Sequence, residues 1–199
     1  MPKVTESHRA GRRAQILDAA LVCFARYGLH QTTMQDIVKQ AELSPGAIYL
    51  YFSGKDAIIA ALADARHSRE QMLFARASQC DSLQAALELL AREFLGQLQD
   101  PEERASRRVG IQVWAEALSN DNILPLMRRG VDEPRKLLAG MIRSAQDRGE
   151  VLANLDPDAL ARMLIALFQG LVLQQAWDEQ LDLESYVATL RAILQPVVQ

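Results

Sequence analysis

At 199 residues the chain is long enough for one or two small domains, each with a buried core. An apolar share of 49%, a charged share of 24%, ten Gly and seven Pro exclude a disordered chain, a collagen-like repeat and an isolated coiled coil. A net charge of -3 excludes a basic architectural protein that coats phosphate indiscriminately, but residues 1–57 carry seven basic and five acidic groups against 15 and 20 in the remainder, which places any polyanion-facing surface at the N-terminus.

The periodicity is helical almost throughout. A polar arm ends near Gly11, after which Ile16, Ala20, Phe24 and Tyr27 line one helix face and Gly28 stops it. Thr33, three residues before Asp36, is the spacing of a cap and its acidic partner, and predicts a helix to about Gln40. Ser44 followed by Pro45 opens the next helix, which runs to about Tyr51. These short helices need a shared core of Ile16, Phe24, Ile37, Val38, Leu43, Ile48 and Phe52.

From Lys55 the elements lengthen. Ile58, Leu62, Arg66, Arg69 and Leu73 sit on a connecting helix, and Leu83 to Leu98 form an amphipathic one closed by Asp100 and Pro101. Val109 to Leu118 is apolar around Trp114, and a further stripe runs from Leu137 to Ala145. Asp156 and Pro157 open a helix over about 157–176 that is too apolar for one surface face, and a last helix covers about 183–197. The fold class is all-α: an N-terminal three-helix domain over 1–54, and a larger C-terminal helical bundle over 55–199.

Cys23 and Cys80 make no disulfide framework or metal site, and Cys23 reads as a small buried residue. No signal peptide and no run of about 18 uncharged apolar residues is present, so the expectation is a cytoplasmic protein without a membrane partner. His8, His30 and His67 are scattered, and the acid pairs Glu102 with Glu103 and Asp132 with Glu133 sit beside prolines on expected surface turns. No catalytic residue, metal or cofactor is expected.

The stretch Thr32 to Lys55 carries the mechanism. Helix, tight turn through Ala41, Glu42 and Leu43, then helix is the helix-turn-helix pattern, whose second helix enters the major groove of DNA. Ser44, Pro45, Gly46 and Ala47 keep the leading edge of that helix slim, so backbone can approach bases and phosphates. Gln35 is the side chain able to make a bidentate base contact. One such reader covers few base pairs, so two copies on a palindrome are expected, paired through the surplus apolar surface of the last two helices near Leu167, Phe168, Leu171 and Ile193.

With Phe24, Ala25, Tyr27 and Gly28 at the end of the first helix, then Thr32, Thr33, Ile37, Ala41, Leu43, Ser44, Gly46, Ile48, Tyr49, Tyr51, Phe52 and Lys55, the segment from about 12 to 60 resembles the DNA-binding domain of the TetR family of bacterial transcriptional repressors. The resemblance implies that Thr33, Tyr49 and Lys55 contact phosphate, and that Ser44, Pro45, Gly46 and Ala47 lie along base edges. Tyr51 stands where many members have histidine. Arg12 and Arg13 fit either an arm reaching the minor groove or a solubilising tail. The resemblance also implies a homodimer on a double-stranded DNA operator, released by a small-molecule effector held in the C-terminal domain. Candidate wall residues are Phe94, Leu98, Trp114, Met141, Phe168 and Trp177, with Gln112, Glu116, Gln169 and Gln174 as polar handles; a buried Glu116 would need a cationic partner. The alternatives are a helical homodimeric partner-binding protein without specific DNA recognition, and a TetR-like activator.

Overall fold

A computed structural model describes residues 6–194. These form nine α-helices: α1 (Glu6–Tyr27), α2 (Met34–Gln40), α3 (Pro45–Tyr49), α4 (Lys55–Ala77), α5 (Leu83–Gln99), α6 (Pro101–Ala117), α7 (Leu124–Asp147), α8 (Pro157–Trp177) and α9 (Leu183–Leu194). The chain divides into two compact units. The first runs through Arg66 and adds Ala105–Met127; the second takes His67–Arg104 and the residues from Arg128 onward. The boundary expected between 54 and 55 falls inside the first unit, because Ile58, Ile59 and Ala61 are buried in the same core as Phe24 and Phe52. Helices α4, α6 and α7 each contribute residues to both units.

In the first unit, Ile16, Phe24, Ile37, Ile48 and Ile58 are fully buried. Each such side chain stabilises the fold by about 1.5–3 kcal/mol relative to exposure, enough to hold helices too short to persist alone. Val109, Val113 and Ala117, four residues apart on α6, enter the same core. The expected polar arm up to Gly11 is instead helical from Glu6, since Glu, Ala and Arg extend an already nucleated helix at little cost. Residues 1–5 of that arm lie outside the described residues. Gly28, at φ 81, ends α1, its amide donating to the carbonyl of Phe24 at 2.9 Å.

The helix ends expected from caps appear as such. Around α2, the Thr33 hydroxyl accepts from the Asp36 amide at 3.2 Å and the Asp36 carboxylate accepts from the Thr33 amide at 2.9 Å. At α3, the Ser44 hydroxyl accepts from the Ala47 amide at 3.2 Å, with Pro45 in the first turn. Helix α3 stops at Tyr49, two residues before the expected end, because the chain tightens: the amides of Tyr51 and Phe52 both donate to the carbonyl of Ile48.

The second unit buries Leu73, Phe74, Leu83, Ala86, Leu90, Leu138, Ile142 and Ala161 in a core of its own. Helix α7 begins well before the stripe at Leu137 and contains Pro134. Asp132 and Glu133 are therefore helical rather than on a surface turn: Asp132 takes a 3.2 Å bond from Arg135, which also pairs with Asp158 on α8, and these charges fasten the helix across its proline. Glu102 and Glu103 open α6, where acidic side chains favour a helix start, and Glu103 accepts from Arg69 at 2.8 Å. Residues 195–197 of the expected last helix lie outside the described residues.

Candidate nucleic-acid interface

Helix α3 turns a slim face outward. Ser44, Pro45 and Gly46 are exposed, Ala47 is half-buried, and Ile48 beneath them is fully buried, so the helix is anchored on one side and open on the other. Tyr49 is 53% exposed and the following Leu50 is 81% exposed, which leaves an aromatic and an aliphatic side chain at the end of the reading edge. Gln35 and Thr33 are exposed on and before α2, while Tyr51 is half-buried and packs on the core. The Thr33 hydroxyl already donates to the Asp36 carboxylate at 2.6 Å, so toward a phosphate it has only acceptor capacity left. Those Thr33 hydroxyl and amide bonds hold the Asp36 carboxyl below the usual carboxylate range.

Behind this face, side chains fasten the loops to their neighbours. Gln15 on α1 donates to the Ala41 carbonyl at the end of α2 at 2.8 Å and accepts from Arg12 at 2.8 Å. The Arg13 guanidinium lies 5.2 Å over the Phe52 ring. Arg12 and Arg13 are thus on a helix and engaged with the reader, rather than on a free tail. Thr32, buried, donates to the carbonyls of Cys23 and Gly28. Lys55 sends its ammonium to the Leu29 carbonyl at 2.8 Å and the Thr32 carbonyl at 3.3 Å, where it closes the loop before α2 and keeps one hydrogen free. Burial pushes the Cys23 thiol pKa up, consistent with a packing residue.

The expected effector residues are divided between the two units. Trp114, Gln112 and Glu116 belong to the first unit. Gln112 accepts from the Leu29 amide at 2.8 Å, and Glu116 lies 3.3 Å from His30, so both side chains are engaged at the loop between α1 and α2. In the second unit, the rings of Phe94 and Phe168 are 4.2 Å apart and tilted by 33°, with Phe74 6.3 Å from Phe94. Met141 packs on this core, Leu98 is buried, Gln169 is half-buried, and Gln174 and Trp177 are exposed. Leu171 is 4% exposed, its apolar surface largely covered within its own chain. Met163, Leu167 and Ile193 do stay open, Met163 at 63% and Ile193 at 65%. Helix α8 is, among the described residues, long and apolar enough to cross a membrane by length and composition, with 22% of its most apolar window buried.

Comparison with known proteins decides the family. A model of the tetR family of bacterial regulatory proteins matches residues 16–62, and a model of the C-terminal part of BetI-type transcriptional repressors matches residues 82–199, more than half of the chain. The chain belongs to the TetR family. It is a helix-turn-helix transcriptional repressor, and regulators of this family bind DNA operators and small-molecule effectors, typically as dimers. The transcriptional repressor Rv1474c of Mycobacterium tuberculosis is 47% identical over 72 residues, which cover 36% of this chain and 37% of that relative. GusR of Salmonella enterica, at 27% identity, matches with a TM-score of 0.80 over 98% of each chain. A transcriptional regulator from Saccharomonospora viridis, solved in complex with choline, is 27% identical and matches with a TM-score of 0.75 over 96% of this chain and 99% of that one.

For this TetR-family chain, residue patterns alone missed Gln15, which joins α1 to the helix-turn-helix, and Gln175, buried on α8 with its amide donating to the Leu98 carbonyl at 2.8 Å. Their partners lie 26 and 77 residues away in sequence, beyond any helical period. Among the described residues, no group of three or more His, Cys, Asp or Glu could hold a metal ion.

Proposed function

We propose that this repressor acts in the cytoplasm as a homodimer on a palindromic operator, with no catalytic step. The observation that carries the reading is the open Ser44–Pro45–Gly46 edge of α3 over a buried Ile48, a surface that lets backbone reach base edges while its position is fixed by the core. Gln35, Ser44, Pro45, Gly46 and Ala47 then face the bases. Tyr49 bonds phosphate through its hydroxyl, with Thr33, Lys55 and Tyr51 beside it. Few groups here can pair bidentately with a base, so shape and thymine-methyl contacts share the specificity.

A second copy covers Met163, Leu167 and Ile193, which supports α8 and α9 as the dimer surface with Phe168 at its edge. The effector binds in the second unit around Phe94, Phe168, Leu98 and Met141, with Gln169, Gln174 and Trp177 at its rim. Aromatic faces hold quaternary ammonium groups well, and the relative from Saccharomonospora viridis contains choline, so choline is the first effector to try. An effector of this kind releases DNA only by favouring a subunit arrangement whose two readers no longer match successive grooves.

The test is selection of genomic fragments by the purified protein across a salt series, with and without choline. The expected outcome is one enriched inverted repeat whose affinity falls steeply with salt, as phosphate contacts release counterions. No enriched repeat at low salt would overturn the specific reader, and an affinity indifferent to choline would remove choline alone.

A further inference from the structure

The loop between α1 and α2 leads directly into the helix-turn-helix, and Leu29 at its centre is buried at 4% exposure. Its amide lies past the end of α1 and finds its partner in a side chain 83 residues away: Gln112 Oε1 accepts from it at 2.8 Å. A buried amide left without an acceptor costs most of a hydrogen bond's desolvation, so this contact fixes where the loop can rest. A Cβ at Gly28, were one present, would stand 3.5 Å from the same oxygen, so the glycine leaves room for it beside the turn that ends α1. One turn further along α6, Glu116 reaches His30 Nε2 at 3.3 Å. Val109, Val113 and Ala117 hold α6 in the core, so Gln112 is presented from a fixed helix. From the other side, the Lys55 ammonium takes the Leu29 carbonyl. The two polar groups of one loop residue are therefore gripped by α6 and α4.

We infer that Gln112, backed by Glu116, is a positioning residue for DNA reading: it clasps the α1–α2 loop and so fixes the register of α2 and α3 without itself touching DNA. The inference rests on the DNA reading proposed above. Base-edge contacts fail when a helix shifts by about half an ångström, whereas phosphate contacts adapt. Loss of the clasp therefore lowers specific affinity and spares nonspecific affinity.

The test uses the full-length protein, the duplex recovered by genomic selection, and a scrambled duplex of equal length as the nonspecific probe. Gln112→Leu keeps bulk and removes the acceptor; Gln112→Met serves the same purpose if the leucine variant does not fold. Gln112→Glu retains an acceptor oxygen at the same reach. The ratio of specific to nonspecific affinity should fall about tenfold or more in Gln112→Leu. It should stay within about threefold of wild type in Gln112→Glu, the remainder being repulsion from Glu116 one turn away. Glu116→Gln should change the ratio by about twofold at most, because His30 is exposed. The salt slope should be unchanged, since no phosphate contact is removed. In hydrogen exchange of the free protein, the Leu29 amide should exchange faster in Gln112→Leu while the amides of Ile37 and Ile48 keep their protection.

An unchanged ratio in Gln112→Leu overturns the inference. So does an equal loss on both duplexes, which would mark a merely structural role, and so does a loss in Gln112→Glu as large as in Gln112→Leu. A wild-type protein that recovers no duplex overturns the DNA reading itself, and with it the role assigned to the clasp.

Discussion

The two units use similar residues and are held in different ways. In the first, α2 and α3 have seven and five residues, and directional bonds fix their ends: the Thr33–Asp36 box, the Ser44 cap, Gln15 on Ala41, and Lys55 and Gln112 on Leu29. In the second, α5 and α8 run for 17 and 21 residues and α7 brings all of its 24 but the first four, so each long helix lays several apolar residues into one core beside caps such as Ser82 and Asp156. Hydrogen bonds fix register, whereas apolar burial fixes mainly proximity. A surface that must match the spacing of base edges needs the first kind of support.

The largest expected effect tests whether the two cores are separable. Phe24→Ala should cost about 3–5 kcal/mol and Ile142→Ala about 2–5 kcal/mol in denaturant unfolding. In hydrogen exchange, each should loosen its own unit first; simultaneous loss of protection in both units would break the comparison.

Caps give a sharper contrast. Ser44 at α3 and Ser82 at α5 make the same bond, each accepting from the amide three residues on. Alanine at either site should cost about 1 kcal/mol of stability. Only Ser44→Ala should also weaken operator binding, measured by titration with the selected duplex, because of these two helices only α3 belongs to the proposed reading surface.

The pH response offers a paired test with smaller amplitude. Asp36 in the first unit and Asp182 in the second both have pKa values held below the ordinary carboxylate range, by bonds from Thr33 and from Ser185 respectively. A depressed carboxyl contributes stability that is fully present above its unfolded value of about 3.9 and is lost as pH falls through its folded value. Asp36→Asn and Asp182→Asn should each flatten the acid limb of a plot of Tm against pH below that point. If neither does, the caps are weaker in solution than their geometry indicates.

The smallest effect concerns the turn between α2 and α3. Glu42, at φ 54, is the one non-glycine residue with positive φ among those described. Glu42→Gly should stabilise the first unit by about 0.5 kcal/mol, the relief of the left-handed conformation exceeding the entropy that glycine adds to the unfolded chain. A loss of stability would mean that the Glu42 side chain contributes more than its backbone strain costs.

Legibility in the sequence follows the same division. The caps at Thr33 and Ser44, the stop at Gly28 and the inward Ile37, Ile48 and Phe52 were readable because each depends on neighbours within four residues. The placement of Gln112 and Glu116 was not: on a helical wheel they share an edge of α6 next to the Val109–Val113 stripe, which looks the same whether it faces an effector or a loop. The surroundings of Leu171 were open for a related reason, since an apolar residue on α8 suits a partner subunit or its own core equally well, and the structure buries it within its own chain.

The sequence by itself determined the all-helical class, the caps, the helix-turn-helix and the family, because these rest on short-range periodicity and on turn chemistry that few residues satisfy. Only the tertiary structure decided that α6 contributes to the reader unit, that Lys55 and Gln112 grip Leu29 from two sides, and which apolar residues of α8 and α9 stay open. Those outcomes depend on contacts between residues dozens of positions apart, and the energy that selects them is burial and pairing in a shared core, which no local pattern encodes.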